Sequence, residues 1–404
     1  MDLATGCPFW PLQDGILHAY PSLQQNVSCQ AAIVGAGVTG ALAAYHLAKE
    51  GVDVVVIDKR DVGTGSTGAC TGLLQYEIDT PLRLLSKRIG KEAARRAYLI
   101  SYRTIDELED LIRELGDDCG FAHRQSLYLA SRKSDVTGIR AECDIRREIG
   151  IEVNLLDATS LMDRFGVRAP AALLSAKAGE VDAFRLTHKL LRTGTERFNA
   201  RVFARTDVHE VQPSSRRIVL TTSSGFKVKA EHVLFATGYE TQRYLRSRRV
   251  KLKTTYATVS KPDPEAGGPS NRPILWETAR PYFYTRSGPD GRMMIGGGDD
   301  DFIAPARRAA ALGKKVRFLA RRYAKTYPSA PPFRPAFSWA GVFGESDDGL
   351  PFIGACGEGG MSRAYYAVGY GGNGVTFSLV AAQIMRDTFL NRENPDAALF
   401  CFDR

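Results

Sequence analysis

Three closely spaced glycines and one acid form the clearest chemical pattern in the sequence. Gly35, Gly37 and Gly40 follow the apolar run 31–34, and Asp58 ends a second apolar run. A glycine turn of this spacing lets the backbone approach a pyrophosphate, which the N–H groups at the start of the next helix then bind. An acid about 20 residues further on is placed to accept hydrogen bonds from ribose hydroxyls. The pattern predicts a dinucleotide site.

The surrounding elements are those that such a site requires. Residues 31–34 and 52–58 are typical of buried parallel strands, and residues 41–50 between them of a helix. Helical periodicity also marks 91–115, 135–149 and 186–198, whereas strand alternation dominates from about 250 to 300. A short strand, a glycine turn and a helix close the chain. This order predicts a discontinuous cofactor domain into which a β-rich domain is inserted.

Composition narrows the class of protein. The 404 residues include 44% hydrophobic residues, enough for a sizeable core, and no apolar run has the length of a membrane span. Because no basic start precedes an apolar segment, we expect no signal peptide and a cytoplasmic location. Seven scattered cysteines without CxxC spacing or a histidine cluster argue against a zinc site or disulfide frame, so no metal is expected.

The net charge of +9 is partly concentrated in residues 307–325, which predict a helix with a basic outer face. Such a face attracts acidic partners, nucleic acid or anionic lipid, but a solvated surface is the commoner outcome. We expect no nucleic-acid partner, since no recognition motif accompanies the charge. The sequence leaves the oligomeric state open.

Four stretches resemble one family, the FAD-dependent D-amino-acid oxidase/sarcosine oxidase/glycine oxidase superfamily. They are the glycine turn followed by "GTGSTGACTGLLQYEID", then "GEVDAFRLTHKLL", "HVLFATGYE", and "DDGLPFIG" with "YYAVGYGGNGV". The resemblance implies an α/β fold: a Rossmann-type, glutathione-reductase-like FAD-binding domain with an inserted antiparallel β-sheet substrate domain. The implied division is a leader (1–28), an FAD-binding domain (29–105, 160–245 and 345–404) and a cap (106–159 and 246–344).

The same resemblance implies which residues contact FAD. They are Gly35, Gly37, Val38, Thr39, Gly40, Asp58, Lys59, Arg60, Ser66, Thr67, Thr71, Gly72, Leu73, Leu74, Val208, Ala236, Thr237, Gly238, Gly349, Gly369, Gly371, Gly372, Asn373, Gly374 and Val375.

The resemblance further implies that an amine or an N-substituted or D-amino acid loses a hydride to the flavin, and that the imine product hydrolyses. No acid–base catalyst stands out. Candidates for the substrate pocket alternate along the inserted strands: Tyr256, Trp276, Tyr282, Tyr284 and Arg286.

Two departures from the family pattern affect these expectations. Val342 and Phe343 follow "WAG", where the family's amino-acid oxidases carry an arginine that binds the substrate carboxylate. The oxygen-assisting lysine of sarcosine oxidases corresponds to a position near Met294, and the 342–346 stretch lacks their flavin-bonding cysteine. We therefore expect noncovalent FAD, with oxygen or another acceptor reoxidising it. The alternatives are a dehydrogenase of a hydroxy acid or polyol phosphate, and a flavin-binding subunit without turnover of its own.

Overall fold

The computed structural model describes residues 1–245, 249–262, 272–288, 290–357 and 361–404. In chain order its elements are β1 (Ala4–Gly6), α1 (Phe9–Asp14), β2 (Val27–Val34), α2 (Val38–Lys49), β3 (Val54–Ile57), β4 (Leu73–Leu74), α3 (Leu82–Ile89), α4 (Lys91–Leu115), β5 (Ala122–Leu129), α5 (Val136–Glu148), β6 (Val153–Asp157), α6 (Ala158–Phe165), β7 (Ala171–Glu180), α7 (Ala183–Phe198), β8 (Arg201–Phe203), β9 (Val208–Pro213), β10 (Ile218–Thr222), β11 (Lys227–Phe235), β12 (Val250–Ser260), β13 (Ile274–Glu277), β14 (Phe283–Ser287), β15 (Met293–Asp300), α8 (Pro305–Thr326), β16 (Pro335–Ser346), β17 (Phe352–Gly354), β18 (Ala364–Val368), α9 (Gly374–Phe389) and α10 (Ala397–Phe400). Short 3₁₀ turns lie at Lys133–Asp135 and Gly238–Arg243.

The smaller of the two sheets in the described residues is built around the predicted nucleotide unit. Its order is β17-β18-β11-β2-β3-β8, with β10 paired to β11 and β9 to β10. The central strands β18, β11, β2, β3 and β8 are parallel, and apolar clusters cover both faces. Burial on both faces explains why β3 reads as an uninterrupted apolar run. Helices α2, α7 and α9 pack together on one side.

The larger sheet has the order β1-β16-β12-β15-β14-β13-β5-β7-β4, with β6 beside β7. Its pairs are antiparallel except β13 with β5, which are parallel. That pair joins the two separate pieces of the predicted cap, so residues distant in sequence form one sheet. The mixed α/β fold agrees with the predicted class.

The predicted domain limits cut across some elements. Residue 105 falls inside α4, whose buried residues recur along the helix until Gly116, at φ 66°, ends it. Strand β7 falls in the predicted FAD-binding part but pairs with β5 and β6 in the larger sheet. The limit at 245 adjoins residues 246–248, which lie outside the described residues. The division into domains remains a prediction.

The predicted basic helix is α8, and several of its cations turn inward. The buried Arg308 donates to the Asp2 and Leu3 carbonyls, and Lys315 binds Asp300 at 2.7 Å. Arg322 pairs with Glu277. The described helices include none that is both long enough and apolar enough to cross a bilayer.

Candidate functional site

A cavity of about 1850 Å³, including the space at its opening to solvent, lies between the two sheets. The carboxyl ends of β2, β3 and β18 line it from the smaller sheet. Strands β12, β13, β14 and β16 line it from the larger one. Open parallel sheets bind their ligands at the carboxyl ends of the strands, so this is the expected position for a ligand.

The glycine turn forms one wall of the cavity, and each glycine meets a separate constraint. Gly35 has φ +111°, and a Cβ there would overlap the Ala236 carbonyl. A Cβ on Gly40 would overlap the Gly35 carbonyl oxygen, so Gly40 lets α2 pack against the turn and does not itself line the cavity. Gly37, Val38 and Thr39 do line it.

Helix α2 begins at this wall without a side-chain cap on its own N-cap residue, Gly37. Instead the Val38 N–H donates to the Thr67 hydroxyl at 3.0 Å. Thr67 belongs to the predicted 63–79 segment, so this bond ties the segment to the helix start. The two predicted stretches therefore meet at the start of α2, the end of the helix that attracts anions.

Asp58 lines the cavity at the end of β3, where its carboxylate is held by backbone amides. It accepts hydrogen bonds from the Ala36 N–H at 2.7 Å and the Arg60 N–H at 2.8 Å. Burial raises the pKa of this carboxyl, and the two amides oppose the rise. Asp58 thus closes the glycine turn in addition to facing the cavity.

Lys59 and Arg60 also line the cavity, and both bind Glu240 at 2.6 and 2.8 Å. Although burial opposes ionisation, hydrogen bonds from Arg60 and Lys59 lower the pKa of the Glu240 carboxyl to about 2. Sequence reasoning missed Glu240, which follows the recognised ATG stretch by only two residues.

The predicted 63–79 segment, called the crossing segment below, lines the cavity with part of its length. Ser66, Thr67, Thr71 and Leu73 line it, whereas Gly72 and Leu74 do not. The Gly72 carbonyl accepts the Val181 N–H at 2.9 Å, and Leu74 lies in the main core cluster.

Four further predicted residues line the cavity on the smaller-sheet side: Val208, Ala236, Thr237 and Gly238. From the C-terminal signature, Gly369, Gly371, Gly372, Gly374 and Val375 line it as well. Asn373 does not. Its amide instead donates to the Gln75 and Glu77 carbonyls, both at 3.0 Å. Gly349 also lies outside the lining, beside the Thr80 side chain.

The substrate candidates divide into two groups. Trp276, Tyr282 and Tyr284 line the cavity, and Trp276 stacks on Tyr128 with ring centroids 3.9 Å apart. Tyr256 faces the opposite side of the larger sheet, where its hydroxyl donates to Asp300 at 2.8 Å. The lining residues of β12 are instead Thr255 and Ala257, because alternate strand residues face opposite sides.

Arg286 also lies outside the cavity lining. It is buried, donates to the carbonyls of Thr71, Gly72 and Val181, and forms an ion pair with Glu180 at 3.3 Å. Through the Thr71 and Gly72 carbonyls, Arg286 holds the crossing segment in place without itself lining the cavity. The expectation that Arg286 faces the substrate therefore has no support in its contacts.

Both departures from the family pattern lie at the cavity or near it. Val342 and Phe343 line it, so apolar groups stand where the family's arginine would be. Met294 lies in an apolar cluster with Trp10 and Trp339. Cys70 is a lining cysteine in the described residues, and burial raises the pKa of its thiol.

Several lining residues were not predicted from the sequence. They are Leu3, Ala69, Gln75, Asp79, Asp207, Tyr239, Arg243, Thr255, Ala257, Trp339, Gly341, Tyr370 and Ser378, among others. Asp79 ends the recognised "LLQYEID" stretch, so its position there was a usable signal. Leu3 comes from the leader through β1, which pairs with β16, and no local pattern indicates that long-range contact.

Several polar side-chain atoms of lining residues lack a hydrogen-bond partner among the described residues, and they bear on whether FAD fits this cavity. Ser66 Oγ, Gln75 Nε2 and Trp276 Nε1 are buried on lining residues and have no hydrogen-bond partner among the described residues. Buried polar atoms nearly always have a partner, so these atoms indicate a polar ligand. Together with the glycine turn and the start of α2, they suit a flavin dinucleotide. Within the described ranges, no group of three or more His, Cys, Asp or Glu side chains is arranged to hold a metal ion.

Known proteins resemble the chain along most of its length. The chain is 27% identical over 384 residues to glycine oxidase of Geobacillus kaustophilus (strain HTA426), covering 92% of this chain and 96% of that protein. It is 23% identical over 378 residues to γ-glutamylputrescine oxidoreductase of Escherichia coli (strain K12), covering 91% and 85%. The crystal structure of the Geobacillus kaustophilus glycine oxidase superposes with a TM-score of 0.79 at 22% identity, covering 94% of this chain and 99% of that one.

The family comparison agrees with this fold and this cavity. The model of the family described as DAO, FAD dependent oxidoreductase, matches residues 30–388. This range includes the glycine turn, the inserted sheet and the C-terminal glycine turn, which are the parts that meet at the cavity. The chain therefore belongs to the DAO family and is an FAD-dependent oxidoreductase.

Proposed function

We propose that this enzyme oxidises a C–N bond of an amine or of an N-substituted or D-amino acid in the cavity between the two sheets. The observation that carries the proposal is that Trp276, Tyr282 and Tyr284 share one cavity with both glycine turns. Aromatic walls with few polar groups are typical of sites that orient small substrates. The named relatives, an amino-acid oxidase and an oxidoreductase of an amine, support the same class of reaction.

We further propose that the cofactor lies along the residues that line the smaller-sheet side. The start of α2 and Thr67 would hold the diphosphate, Asp58 and its neighbours the ribose, and the turn from Gly369 to Val375 the flavin end. When bound, FAD accepts the hydride from the carbon that carries the nitrogen. The resulting imine is hydrolysed by water.

The protein's own part is to position the substrate and to exclude water. Trp276 is held by its stack on Tyr128, and Tyr284 lies against Gly296, where a Cβ would overlap the tyrosine ring. Side chains fixed in this way present one surface to the substrate, and such positioning accounts for much of the rate in two-reactant steps. FAD is proposed to be noncovalent, with oxygen or another acceptor completing the cycle.

An anaerobic titration of the FAD-loaded protein tests the proposal. Amines, N-methyl amino acids and D-amino acids are added in turn, and the oxidised flavin absorbance is followed. We expect at least one compound to bleach the band, and readmitted air reports whether oxygen restores it. If hydroxy acids or polyol phosphates bleach the flavin and no amine does, the proposal is wrong in favour of a dehydrogenase of those substrates. If no compound of either group bleaches it, a subunit without turnover is favoured.

A matched pair of variants locates the reaction. Tyr282→Phe changes a lining residue, whereas Tyr256→Phe makes the same change on the opposite face of the sheet. We expect the first to slow flavin reduction by the active amine at least several-fold and the second to leave it unchanged. An equal effect of both would place the reaction elsewhere.

A further inference from the structure

The end of the crossing segment binds the C-terminal glycine turn through three residues. The Gln75 and Glu77 carbonyls both accept hydrogen bonds from the Asn373 amide at 3.0 Å. Two residues further on, the Asp79 carboxylate accepts the Gly372 N–H at 2.6 Å. Every second residue in this part of the segment therefore contacts the same turn, and the last of these contacts is made by a charged side chain.

The Asp79 carboxylate fits closely against the turn. A Cβ on Gly371 would lie 2.5 Å from Asp79 Oδ2, and a Cβ on Gly372 would lie 2.8 Å from Asp79 Oδ1. Both distances are shorter than the contact distance of non-bonded atoms, so a side chain at either glycine would displace the carboxylate or the turn. At Gly372 the three heavy atoms nearest to such a Cβ all belong to Asp79. The two parts of the chain are therefore shaped to each other.

The backbone around Asp79 is held without help from its carboxylate. The Arg280 guanidinium donates to the Asp79 carbonyl at 3.0 Å and lies over the Tyr282 ring, 5.0 Å from its centroid. The Tyr98 hydroxyl donates to the Thr80 carbonyl at 3.0 Å. Because these bonds anchor the chain at two successive residues, the carboxylate is a fixed point against which the glycine turn is placed.

The carboxylate also brings a negative charge to the part of the cavity that this turn lines. Asp79 and Gly372 both line the cavity, and α9 begins at the end of the turn. A helix start favours the negative charge that a flavin gains on reduction, whereas a carboxylate has the same sign and opposes it. The Arg280 guanidinium lies nearby but donates to backbone carbonyls, so among the described residues no cation forms an ion pair with the Asp79 carboxylate.

We propose that Asp79 is a positioning residue for the flavin: its carboxylate fixes the C-terminal glycine turn, and its charge makes the bound flavin harder to reduce. The proposal rests on the cofactor position proposed above and not on the identity of the substrate. Loss of the carboxylate should therefore weaken flavin binding. Loss of the charge alone should instead raise the reduction potential of a flavin that stays bound.

Two substitutions at Asp79 separate the hydrogen bond from the charge. Asp79→Asn keeps an oxygen that accepts the Gly372 N–H, whereas Asp79→Ala removes both the acceptor and the charge. The Kd of FAD follows from the fluorescence of flavin released when the loaded protein is diluted. We expect Asp79→Asn to bind FAD within about threefold of the wild type and Asp79→Ala about tenfold more weakly. Wild-type affinity in Asp79→Ala would overturn the positioning role.

The reduction potential is measured on the loaded proteins against a reference dye, without any substrate. At a fixed dye potential, Asp79→Asn should raise the ratio of reduced to oxidised flavin about tenfold, which equals about 30 mV for two electrons. Asp110→Asn is the matched control, because it removes the same charge from α4, where the Asp110 side chain is 72% exposed. We expect wild-type values from it. An unchanged potential in Asp79→Asn, or an equal rise in both variants, would overturn the role of the Asp79 charge.

A double substitution tests the contact itself and separates this inference from the proposed cofactor position. Gly372→Ala places a Cβ against the Asp79 carboxylate, so it should weaken FAD binding about tenfold alone and much less in combination with Asp79→Ala. An equal loss with and without the carboxylate would overturn the role of Asp79 and leave the cofactor position intact. If Gly372→Ala changes neither the Kd of FAD nor the potential, the turn does not hold the flavin, and the cofactor position fails together with the inference.

Discussion

Gly40 lies just behind the cavity wall, and its lack of a side chain shows how much the site depends on single residues. The position faces the Gly35 carbonyl and not the cavity, so its role is to let the first turn of α2 lie close to the glycine turn. A displacement of that first turn would also displace the N–H groups that hold a ligand there. Gly40 is thus a packing residue with a functional consequence.

We expect Gly40→Ala to lower the free energy of unfolding by about 1–3 kcal/mol, because an added methyl overlaps backbone that cannot move freely. Flavin content of the purified protein should fall with it. Thermal unfolding and the flavin-to-protein absorbance ratio measure the two effects.

Gly313→Ala is the control, since a Cβ there meets only the end of the Arg317 side chain at 3.7 Å within α8. It should be neutral or stabilising by about 0.5–1 kcal/mol. Equal losses in the two variants would contradict the packing argument.

Asp299, on β15, makes stability depend on pH. Its pKa is about 7 in the folded chain, above the ordinary value of 3.8, so its contribution to stability is fully present at low pH and is lost as the pH rises towards 7. The free energy of unfolding of Asp299→Asn, minus that of the wild type, should therefore increase as the pH rises from 4.5 to 7.5. The increase is at most about 1.4 kcal/mol per pH unit. Urea unfolding of both proteins across this range measures the difference. A difference that does not vary with pH would show that Asp299 ionises normally.

At the scale of elements, Arg286 links three parts of the chain that are distant in sequence. It stands on β14 and binds carbonyls of the crossing segment and of Val181, while Glu180 at the end of β7 pairs with it and with Arg124. The crossing segment carries Thr71 and Leu73 to the cavity, so its position depends on this support. The site is therefore shaped by β14 and β7 as well as by the glycine turns.

We expect Arg286→Met to lower the free energy of unfolding by about 3–5 kcal/mol, because it leaves buried carbonyls and part of the Glu180 charge without a partner. Chemical unfolding and flavin content are the measurements. If the variant instead had normal stability and only a raised KM, Arg286 would be assigned to the substrate site.

At the scale of the whole molecule, the cavity joins the two sheets. Both contribute lining residues, as does Leu3 beside β1, so a ligand in the cavity contacts both sheets and the start of the chain. A ligand that binds only the folded state raises stability in proportion to the logarithm of its concentration. FAD should thus stabilise the whole chain.

Removal of FAD by dialysis against chaotropic salt should lower the Tm, and readdition should restore it. Free FAD at 100 times its Kd should add about 2.7 kcal/mol. Differential scanning fluorimetry follows the Tm, and absorbance of the filtrate after denaturation reports whether flavin is released. Flavin that stays with the denatured chain would show a covalent bond and would make Cys70, which lines the cavity, the first residue to test.

Local patterns were sufficient for the nucleotide unit and for most helices. The strand–turn–helix–strand unit, the helix over 91–115 and the C-terminal strand, turn and helix all lie where periodicity and glycine spacing predict them. They are predictable because the constraint is local: a turn needs glycine, and a helix ends where its apolar repeat ends. Most of the predicted cofactor residues line one cavity for the same reason.

Tertiary structure alone decided which residues of the inserted strands face that cavity. Tyr256 and Thr255 are neighbours in sequence, and only the register of β12 against β15 turns the threonine inward. The pairing of β5 with β13 and the ionic role of Arg286 likewise join residues that are far apart in the chain. The sequence by itself determined the family, the cofactor and the local units. The substrate wall was decided by the folded sheet, because its register and long-range pairings depend on contacts that no short segment contains.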